Sequence, residues 1–328
     1  MSELVSVIVT SYNHAEYLEK RLDSLLVQTY KNIEIIVVDD GSTDESRRVL
    51  KKYEKFSNFK SIFLEKNKGY ANASNFGVKV SRGKYIMFAE ADDFNDIEQI
   101  KLLLASAIKT SVGVVYSRSN IVDSEGKVIG DDYRFREVAF RRHCSKDCFI
   151  KGEKMQRFLL NSCVIPNMSA VLMKKEIFEK VGGFSEKYKL TADWDFWCRM
   201  AKESDFFYIT KPLNYFRTHN TTLRSTVRLN VQLGEMFSLL ENAFSKMNAN
   251  FVRKQLFKFN MGTILAHVII CNRVKDARNF VQLIKKGMEY EKFIGLYFVF
   301  GLIKKIYVLV YAKLCEKCVK YEYGNIIS

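Results

Sequence analysis

Three stretches of the chain place carboxylates where they are able to do chemistry. Asp39-Asp40 and Glu90-Ala91-Asp92-Asp93 each follow directly on an apolar run, and Asp193 lies beside two tryptophans. Carboxylate oxygens are the ligands that Mg²⁺ prefers, and a carboxylate is also able to accept a hydrogen bond or to take a proton as a general base. The elements that position these acids therefore decide what the chain does.

The first forty residues predict a βαβ unit that brings two polar loops together. Val5–Val9 and Ile33–Val38 are β-branched runs typical of strands that are buried on both faces. Leucines at helical spacing lie between them, and Asn13 with Glu16 resembles a capping box at the start of that helix. In an open α/β sheet, ligands bind beyond the carboxyl ends of the strands. We therefore expect the loops after both strands to face one crevice.

The glycine-rich loops that usually hold phosphates are absent from the sequence. No GxGxxG follows the first strand, and no GxxxxGK[ST] occurs anywhere in the chain. The crevice must therefore bind its ligand through other side chains.

Three motifs, SVIVTSYNHAEYL, IIVVDDGSTD and IMFAEADD, occur in this order, and each falls at a strand end. Together they resemble the inverting family 2 glycosyltransferases of the bacterial surface-polysaccharide type, over about residues 5–225. The resemblance implies an α/β protein with the GT-A fold, in which helices flank a Rossmann-like, mostly parallel central sheet. It also implies a hexosyltransferase-type enzyme that uses a nucleotide-sugar.

The resemblance places the nucleotide-sugar donor in the loops at the strand ends. Thr10 and Tyr12 would pack on the nucleoside, and Asp40 would accept the N3–H that uracil and thymine carry and cytosine lacks. Ser74 stands where the family usually has an arginine, so Lys68 either replaces that charge or is an ordinary solvated lysine. The predicted donor-binding residues are Thr10, Tyr12, Asn13, Asp40, Gly41, Ser42, Lys68, Asn75, Ala91 and Asp92.

A divalent cation is the usual partner of a diphosphate leaving group, and the resemblance places it at the second acidic stretch. Glu90 and Asp92 take the two acidic positions of the family's DxD motif. Because Glu90 stands where the family has an aspartate, Asp92 is the favoured ligand of Mn²⁺ or Mg²⁺, followed by Asp93. The alternative interpretation of this acidic stretch is a helix N-terminus, where acidic residues are common because they interact favourably with the helix dipole. His219, in a segment similar to the family's late YRxH element, is a further candidate metal ligand.

The segment LTADWDFW, residues 190–197, resembles the family's EDWDLW, whose first aspartate is the general base of a single in-line displacement. Asp193 takes this role, although Ala192 stands where the family has glutamate. The other interpretation of Asp193 is a helix N-cap, and both roles are compatible. Trp194 is the candidate for stacking on the acceptor sugar, and Trp197 is expected in the core.

Composition limits the other possibilities. A chain of 328 residues with 48% hydrophobic content suits one large or two ordinary domains. Seven cysteines at irregular spacing predict free thiols in a reducing compartment, and the group formed by His143, Cys144 and Cys148 lacks the second half of a zinc site. The net charge of +15 accompanies no nucleic-acid-binding motif, so nucleic acid is not an expected partner.

The last hundred residues are helix-like and basic. From residue 225 onward, sixteen Lys and Arg face seven Asp and Glu, so we expect a GT-A domain at 1–224 and a helical region at 225–328. Ile294–Cys315 is apolar but interrupted by Lys304 and Lys305, which disfavours a membrane span and favours a helix lying on an anionic membrane surface. Packing on the catalytic domain or on a second copy is the alternative. Without a signal-peptide pattern, the expected location is cytoplasmic, peripheral on the inner face of the cell membrane.

The sequence thus predicts a metal-dependent inverting glycosyltransferase that moves one sugar from a UDP- or dTDP-sugar to a glycan acceptor. A lipid-linked oligosaccharide of a surface polysaccharide is the expected acceptor, and the QxxRW element of processive synthases is absent. One rival is a sugar nucleotidyltransferase, whose glycine-rich first loop is missing. The other is an inactive membrane-associated scaffold of a polysaccharide assembly complex, and the retained acids argue against it.

Overall fold

A computed structural model describes residues 2–136, 138–165, 167–218, 228–245, 251–271 and 277–303. The chain divides into two compact units, Met1–Asn220 and Thr221–Ser328. The domain boundary that the sequence predicts, between residues 224 and 225, falls in a stretch outside the described residues.

Ten strands in the described part of the first unit form one mixed sheet. They are β1 (Val5–Ser11), β2 (Ile33–Asp39), β3 (Phe59–Phe63), β4 (Tyr85–Glu90), β5 (Phe94–Asn95), β6 (Val114–Val122), β7 (Val128–Asp131), β8 (Cys148–Ile150), β9 (Val171–Lys174) and β10 (Phe206–Arg217). The order across the sheet is β3-β2-β1-β4-β9-β6-β10-β5, with β7 paired to β6 and β8 paired to β10. Strands β1 to β4 are parallel, whereas β9 is antiparallel to both of its neighbours. The predicted Rossmann-like sheet is thus confirmed, but it is mixed rather than mostly parallel, because β5, β7, β8 and β9 each pair antiparallel with a neighbour.

Helices cover both faces of this sheet. They are α1 (Ala15–Leu26), α2 (Ser46–Lys51), α3 (Tyr70–Val80), α4 (Gln99–Thr110), α5 (Val138–His143), α6 (Gly152–Leu159), α7 (Lys175–Lys180) and α8 (Ala192–Glu203). Leu18, Leu22 and Leu25 of α1 are fully buried against alternate residues of β1 and β2, as the leucine spacing predicts. The β-branched residues of β1 and β2 are buried on both faces because helices lie on both sides of them.

On the opposite face of the sheet, α3 lies unusually close to the strands. A Cβ added at Gly77 would lie 2.4 Å from Ile8 Cγ2, so only glycine permits this approach. The close packing fixes α3 across β1 and β2 and places its first residue, Tyr70, above the carboxyl ends of the strands.

The start of α1 differs from the sequence prediction. The helix begins at Ala15, and Asn13 adopts a left-handed conformation with φ 55° instead of forming a capping box, so that prediction was wrong. The cap comes from the loop after β2, because Asp44 Oδ2 accepts the backbone N–H of Ala15 at 3.0 Å. Asn13 Oδ1 accepts the backbone N–H of Thr43 at 2.8 Å in return. The two loops therefore hold each other, and local capping rules do not describe them.

The second unit is helical in its described part, as the sequence predicts. Its helices are α9 (Leu229–Ser245), α10 (Phe251–Cys271) and α11 (Ala277–Met288), and residues 294–303 are also helical. Among the described residues, no helix combines the length and the apolar character that crossing a bilayer requires. The predicted surface helix Ile294–Cys315 is described only as far as residue 303.

Candidate active site

The loops after β1 and β2 meet at the carboxyl edge of the sheet. The two strands are parallel and in register from Val5 to Ser11, so both loops leave at the same edge. The backbone N–H of Asn13 donates to Ser42 Oγ at 2.9 Å, and that of Ser42 donates to Asp39 Oδ1 at 2.9 Å. Both loops therefore present one continuous polar surface, as the sequence predicts.

Asp40 connects this surface to the segment in front of α3. Its carboxylate is 4% exposed and accepts the backbone N–H groups of Lys68 at 2.9 Å and Gly69 at 2.7 Å. Gly41, with φ +76°, runs so close to the same segment that a Cβ there would lie 2.8 Å from the carbonyl carbon of Lys66. Each carboxylate oxygen has a second lone pair, so Asp40 retains the capacity to accept a further hydrogen bond.

Other residues of the predicted donor set differ widely in exposure. Tyr12 is 42% exposed, which leaves a face of its ring open at the edge of the sheet. Thr10 is partly buried between Val38 of β2 and Glu90 of β4, and the side chain of Lys68 is exposed. The edge therefore offers an aromatic surface and an exposed cation beside the buried carboxylate of Asp40.

The amide of Asn75 makes two bonds within the protein. Its Nδ2 donates to the carbonyl oxygen of Phe184 at 2.9 Å, and its Oδ1 accepts the backbone N–H of Phe184 at 2.8 Å. Asn75 thus ties α3 to the glycine turn after α7, where a Cβ at Gly183 would lie 2.5 Å from Asn75 Oδ1. Ala91, also in the predicted donor set, is 1% exposed.

Carboxylates from two distant parts of the chain meet at the end of β4. Burial raises the pKa of Glu90, and the negative charges of Asp93, Asp92 and Asp193 raise it further. Burial likewise raises the pKa of the Tyr70 phenol, with Glu90 and Asp193 as further causes. Asp193 of α8 therefore lies in the same electrostatic environment as the acids after β4, although a hundred residues of sequence separate them.

Asp93 faces the interior rather than the solvent. It is 1% exposed, and its Oδ1 accepts the backbone N–H of Arg217 at 3.0 Å. Its Oδ2 lies 3.8 Å from Arg21 Nη2 and accepts a long bond of 3.4 Å from Asn214 Nδ2. Both oxygens are thus engaged within the protein, which gives Asp93 a part in holding the turn. Glu90 and Asp92 are the partly exposed acids of the motif.

Arg21 of α1 is a residue that sequence reasoning missed. Its side chain is fully buried, Nε donates to the carbonyl oxygen of Glu90 at 2.8 Å, and Nη1 donates to Asn95 Oδ1. Burial lowers the pKa of Arg21 to about 10, and the neighbouring acids, Asp93 first, oppose that effect. The signal was a charged residue within the leucine stripe of α1, since residue 21 lies on the same helix face as residues 18 and 25.

Asp193 lies in the first turn of α8 and is partly exposed. Thr191 occupies the N-cap position, so Asp193 is the second residue of the helix, and its Oδ1 accepts the N–H of Trp194 at 2.8 Å. Trp194 is 7% exposed and its indole Nε1–H donates to the carbonyl oxygen of Leu159 at 2.8 Å. This burial leaves Trp194 too little surface for a sugar to stack on, whereas Trp197 is fully buried as expected.

The acids at the end of β4 do not form a ready metal cage. Among the described residues, no group of three or more His, Cys, Asp and Glu side chains is arranged to hold a metal ion. His219, the remaining candidate ligand, lies outside the described residues.

Comparison with known proteins identifies the family. The model of "Glycosyl transferase family 2" matches residues 6–182. An uncharacterized glycosyltransferase of Rickettsia typhi is 30% identical over 251 residues, which cover 75% of this chain and 73% of that protein.

Two solved structures show the same fold. The crystal structure of Staphylococcus aureus TarS 1–349 in complex with UDP-GlcNAc has a TM-score of 0.66 at 20% identity, over 86% of this chain and 79% of that chain. The mannosyltransferase PcManGT from Pyrobaculum calidifontis, in complex with GDP-Man and Mn²⁺, has a TM-score of 0.56 at 16% identity, over 93% of this chain and 88% of that chain. The predicted GT-A fold is confirmed, and the protein is a glycosyltransferase that belongs to glycosyl transferase family 2.

Proposed function

We propose that the protein transfers one sugar, with inversion, from a UDP- or dTDP-sugar to a glycan acceptor. The observation that carries this proposal is that Asp193 and Asp92 both act electrostatically on Glu90, at the edge of the sheet where the loop of Asp40 begins. An inverting transfer needs a carboxylate base on one side of the sugar and charge neutralisation of the diphosphate on the other. Asp193 supplies the first, and the acids after β4 supply the ligands for the second.

In this proposal the nucleotide lies on the loops after β1 and β2. The exposed ring of Tyr12 covers the base, and Asp40 accepts the N3–H of uracil or thymine with a free lone pair. The exposed Lys68 is the proposed contact for the diphosphate. The UDP-GlcNAc bound to S. aureus TarS supports the choice of a uridine donor.

A test of the nucleotide follows from the two bonds that Asp40 already makes. Asp40→Asn replaces one acceptor oxygen by a donor, so UDP should lose affinity while CDP, whose N3 is an acceptor, should lose less. We expect the dissociation constant of CDP, divided by that of UDP, to fall by about tenfold, the scale of one charge-assisted hydrogen bond. Both constants are measured by calorimetry. If the substitution only disturbed the segment of Lys68 and Gly69, the affinities for UDP and CDP would fall equally. An unchanged ratio would therefore show that Asp40 does not bind the base.

The donor set at the end of β4 fits a hard divalent cation such as Mn²⁺ or Mg²⁺. Glu90 and Asp92 offer carboxylate oxygens, and the pKa of Glu90 is raised by its burial and by the negative charges of Asp93, Asp92 and Asp193, which Arg21 opposes. Asp92 and Glu90 would hold the ion, which would neutralise charge on the diphosphate leaving group. The Mn²⁺ in the structure of the Pyrobaculum mannosyltransferase supports this assignment.

Asp92→Ala should therefore abolish sugar transfer, because it removes the favoured ligand without touching the buried contacts of Asp93. Chelation with EDTA should have the same effect on the wild type, and added Mn²⁺ or Mg²⁺ should reverse it. Product formation from a radiolabelled donor is the measurement. Full activity of the wild type in EDTA would contradict the metal assignment.

Asp193 is proposed as the general base. Partial exposure leaves it open to an acceptor, while its bond to the N–H of Trp194 fixes its direction. The acceptor is then expected to reach the site at the first turn of α8 rather than on the buried ring of Trp194.

Asp193→Asn keeps the shape of the side chain and an oxygen for the N–H of Trp194, but it removes the proton acceptor. Turnover should fall by about two powers of ten or more, the usual scale for a general base. The affinity for UDP should remain unchanged, as measured by calorimetry on the same preparation. A variant with near-normal turnover would leave Asp193 with a structural role only.

We further propose that the second unit lies on an anionic membrane surface on the cytoplasmic side, where a lipid-linked acceptor would be found. Leu296, Phe300 and Ile303 share one face of the helix at 294–303, and they are 57%, 48% and 57% exposed. Exposed apolar groups on one helix face are typical of an interaction surface, and the basic excess after residue 225 favours anionic lipid. Contact with a second copy of the chain is the competing occupant.

Leu296→Glu and Phe300→Glu should each reduce flotation with vesicles that contain anionic lipid, because a carboxylate on this face is repelled by the surface. High salt should weaken the flotation of the wild type, since salt screens surface charge within about 8–10 Å. Ile108→Glu is the matched control, because Ile108 of α4 is also 54% exposed but lies in the first unit. Absence of flotation by the wild type, together with a loss of mass in light scattering for the variants, would identify a subunit contact instead.

A further inference from the structure

The side chain of Arg217, the last residue of β10, joins two turns at the edge of the sheet. Its Nε donates to the carbonyl oxygen of Asp92 at 2.8 Å. Its Nη1 donates to the carbonyl oxygen of Asp123 at 3.1 Å and to that of Ser124. Arg217 is 3% exposed, so these bonds form away from bulk water and are not exchanged for it.

Aromatic rings hold the guanidinium of Arg217 in place. The ring centroid of Tyr17 lies 4.7 Å from its central carbon, and that of Phe94 lies 5.7 Å from it. The ring of Phe94 in turn stacks on Tyr215 of β10 at 4.5 Å. Contacts with ring faces and three carbonyl oxygens leave the planar group one orientation.

Asp93 contacts the backbone of Arg217 but not its side chain, so the two parts of Arg217 have different roles. Asp93 is bound by the backbone N–H of Arg217 and by Arg21, and neither contact requires the Arg217 guanidinium. Replacing the side chain of Arg217 therefore leaves the buried anchor of the turn intact. It frees only the carbonyl of Asp92 and the turn of Asp123 and Ser124.

We propose that Arg217 is a positioning residue, which sets the direction of the Asp92 carboxylate and thereby the affinity of the site for a divalent cation. A fixed carbonyl restricts the ψ angle of Asp92 and the φ angle of Asp93, and with them the position from which the Asp92 carboxylate projects. This inference rests on the proposed metal-dependent function, because it concerns the residue that would hold the ion. Groups that orient a metal ligand typically contribute 10–100-fold to metal affinity.

The charge of Arg217 and its positioning of Asp92 would have opposite effects on the affinity for a divalent ion. A cation so close to the acids repels a divalent ion, so its removal would strengthen metal binding if only charge mattered. If position matters, Arg217→Gln should weaken Mn²⁺ binding by about 10–100-fold, measured by electron paramagnetic resonance titration in the presence of UDP. Arg217→Lys keeps the charge but not the fork of donors, and it should weaken binding as well. The affinity for UDP in EDTA should stay at the wild-type value for both variants.

Arg136→Gln is the matched control. Like Arg217, Arg136 donates to a backbone carbonyl oxygen, that of Cys163 at 3.1 Å, and it also bonds Asp132 Oδ2 at 2.7 Å. Its loss should lower the melting temperature without changing Mn²⁺ affinity. Circular dichroism is used to check that each variant is folded. If Arg217→Gln does not fold, the Mn²⁺ affinity of Arg217→Lys is the test of the proposal.

Three results would overturn the inference. The first is that Arg217→Gln binds Mn²⁺ as tightly as the wild type or more tightly. The second is that Arg217→Lys keeps the wild-type affinity for Mn²⁺. The third is that Arg136→Gln loses as much Mn²⁺ affinity as Arg217→Gln. A different result would contradict the proposed metal-dependent function itself. A wild type that binds neither Mn²⁺ nor Mg²⁺ with UDP, and that transfers sugar in EDTA, would remove the metal site itself.

Discussion

The site depends on a positive charge buried beneath it. Arg21 lies with no solvent exposure among the leucines of α1, and a charge in such a place is stable only when it is paired and fully hydrogen-bonded. Asp93, the carbonyl of Glu90 and the side chain of Asn95 supply those partners. These three partners lie at the end of β4 and in the segment that follows it. The requirement to satisfy one buried guanidinium therefore fixes the backbone that carries the proposed metal-binding acids.

Ser169 extends the same network to the antiparallel strand of the sheet. Its Oγ accepts the backbone N–H of Glu90 at 2.9 Å and a longer bond of 3.4 Å from Arg21 Nη2. Ser169 lies two residues before β9, which leads through α7 to the turn that Asn75 holds and then to α8. The insertion of β9 between parallel strands thus places α8, with Asp193, over the end of β4.

The electrostatics of the site follow from this packing. Acids crowd at the end of β4 because the fold brings them there, and the pKa of Glu90 rises since burial and three neighbouring carboxylates disfavour its ionised form. A site that concentrates negative charge at the edge where a diphosphate would bind requires positive charge from outside the chain or from exposed cations. This is the physical basis for the proposed divalent ion.

The sequence by itself determined the features that depend on neighbouring residues and on chain order. Apolar runs marked β1 and β2, leucine spacing marked α1, and polar residues at strand ends marked the edge of the sheet, because strand and helix periodicity is local. Tertiary structure decided the features that depend on partners far away in the chain. Asp44 caps α1 from a neighbouring loop, Asn75 holds the backbone of Phe184, and Trp194 is buried by α6, so none of these roles is visible in local patterns. The role of Arg21 was decided in the same way, because a buried charge is tolerated only where the fold assembles its partners.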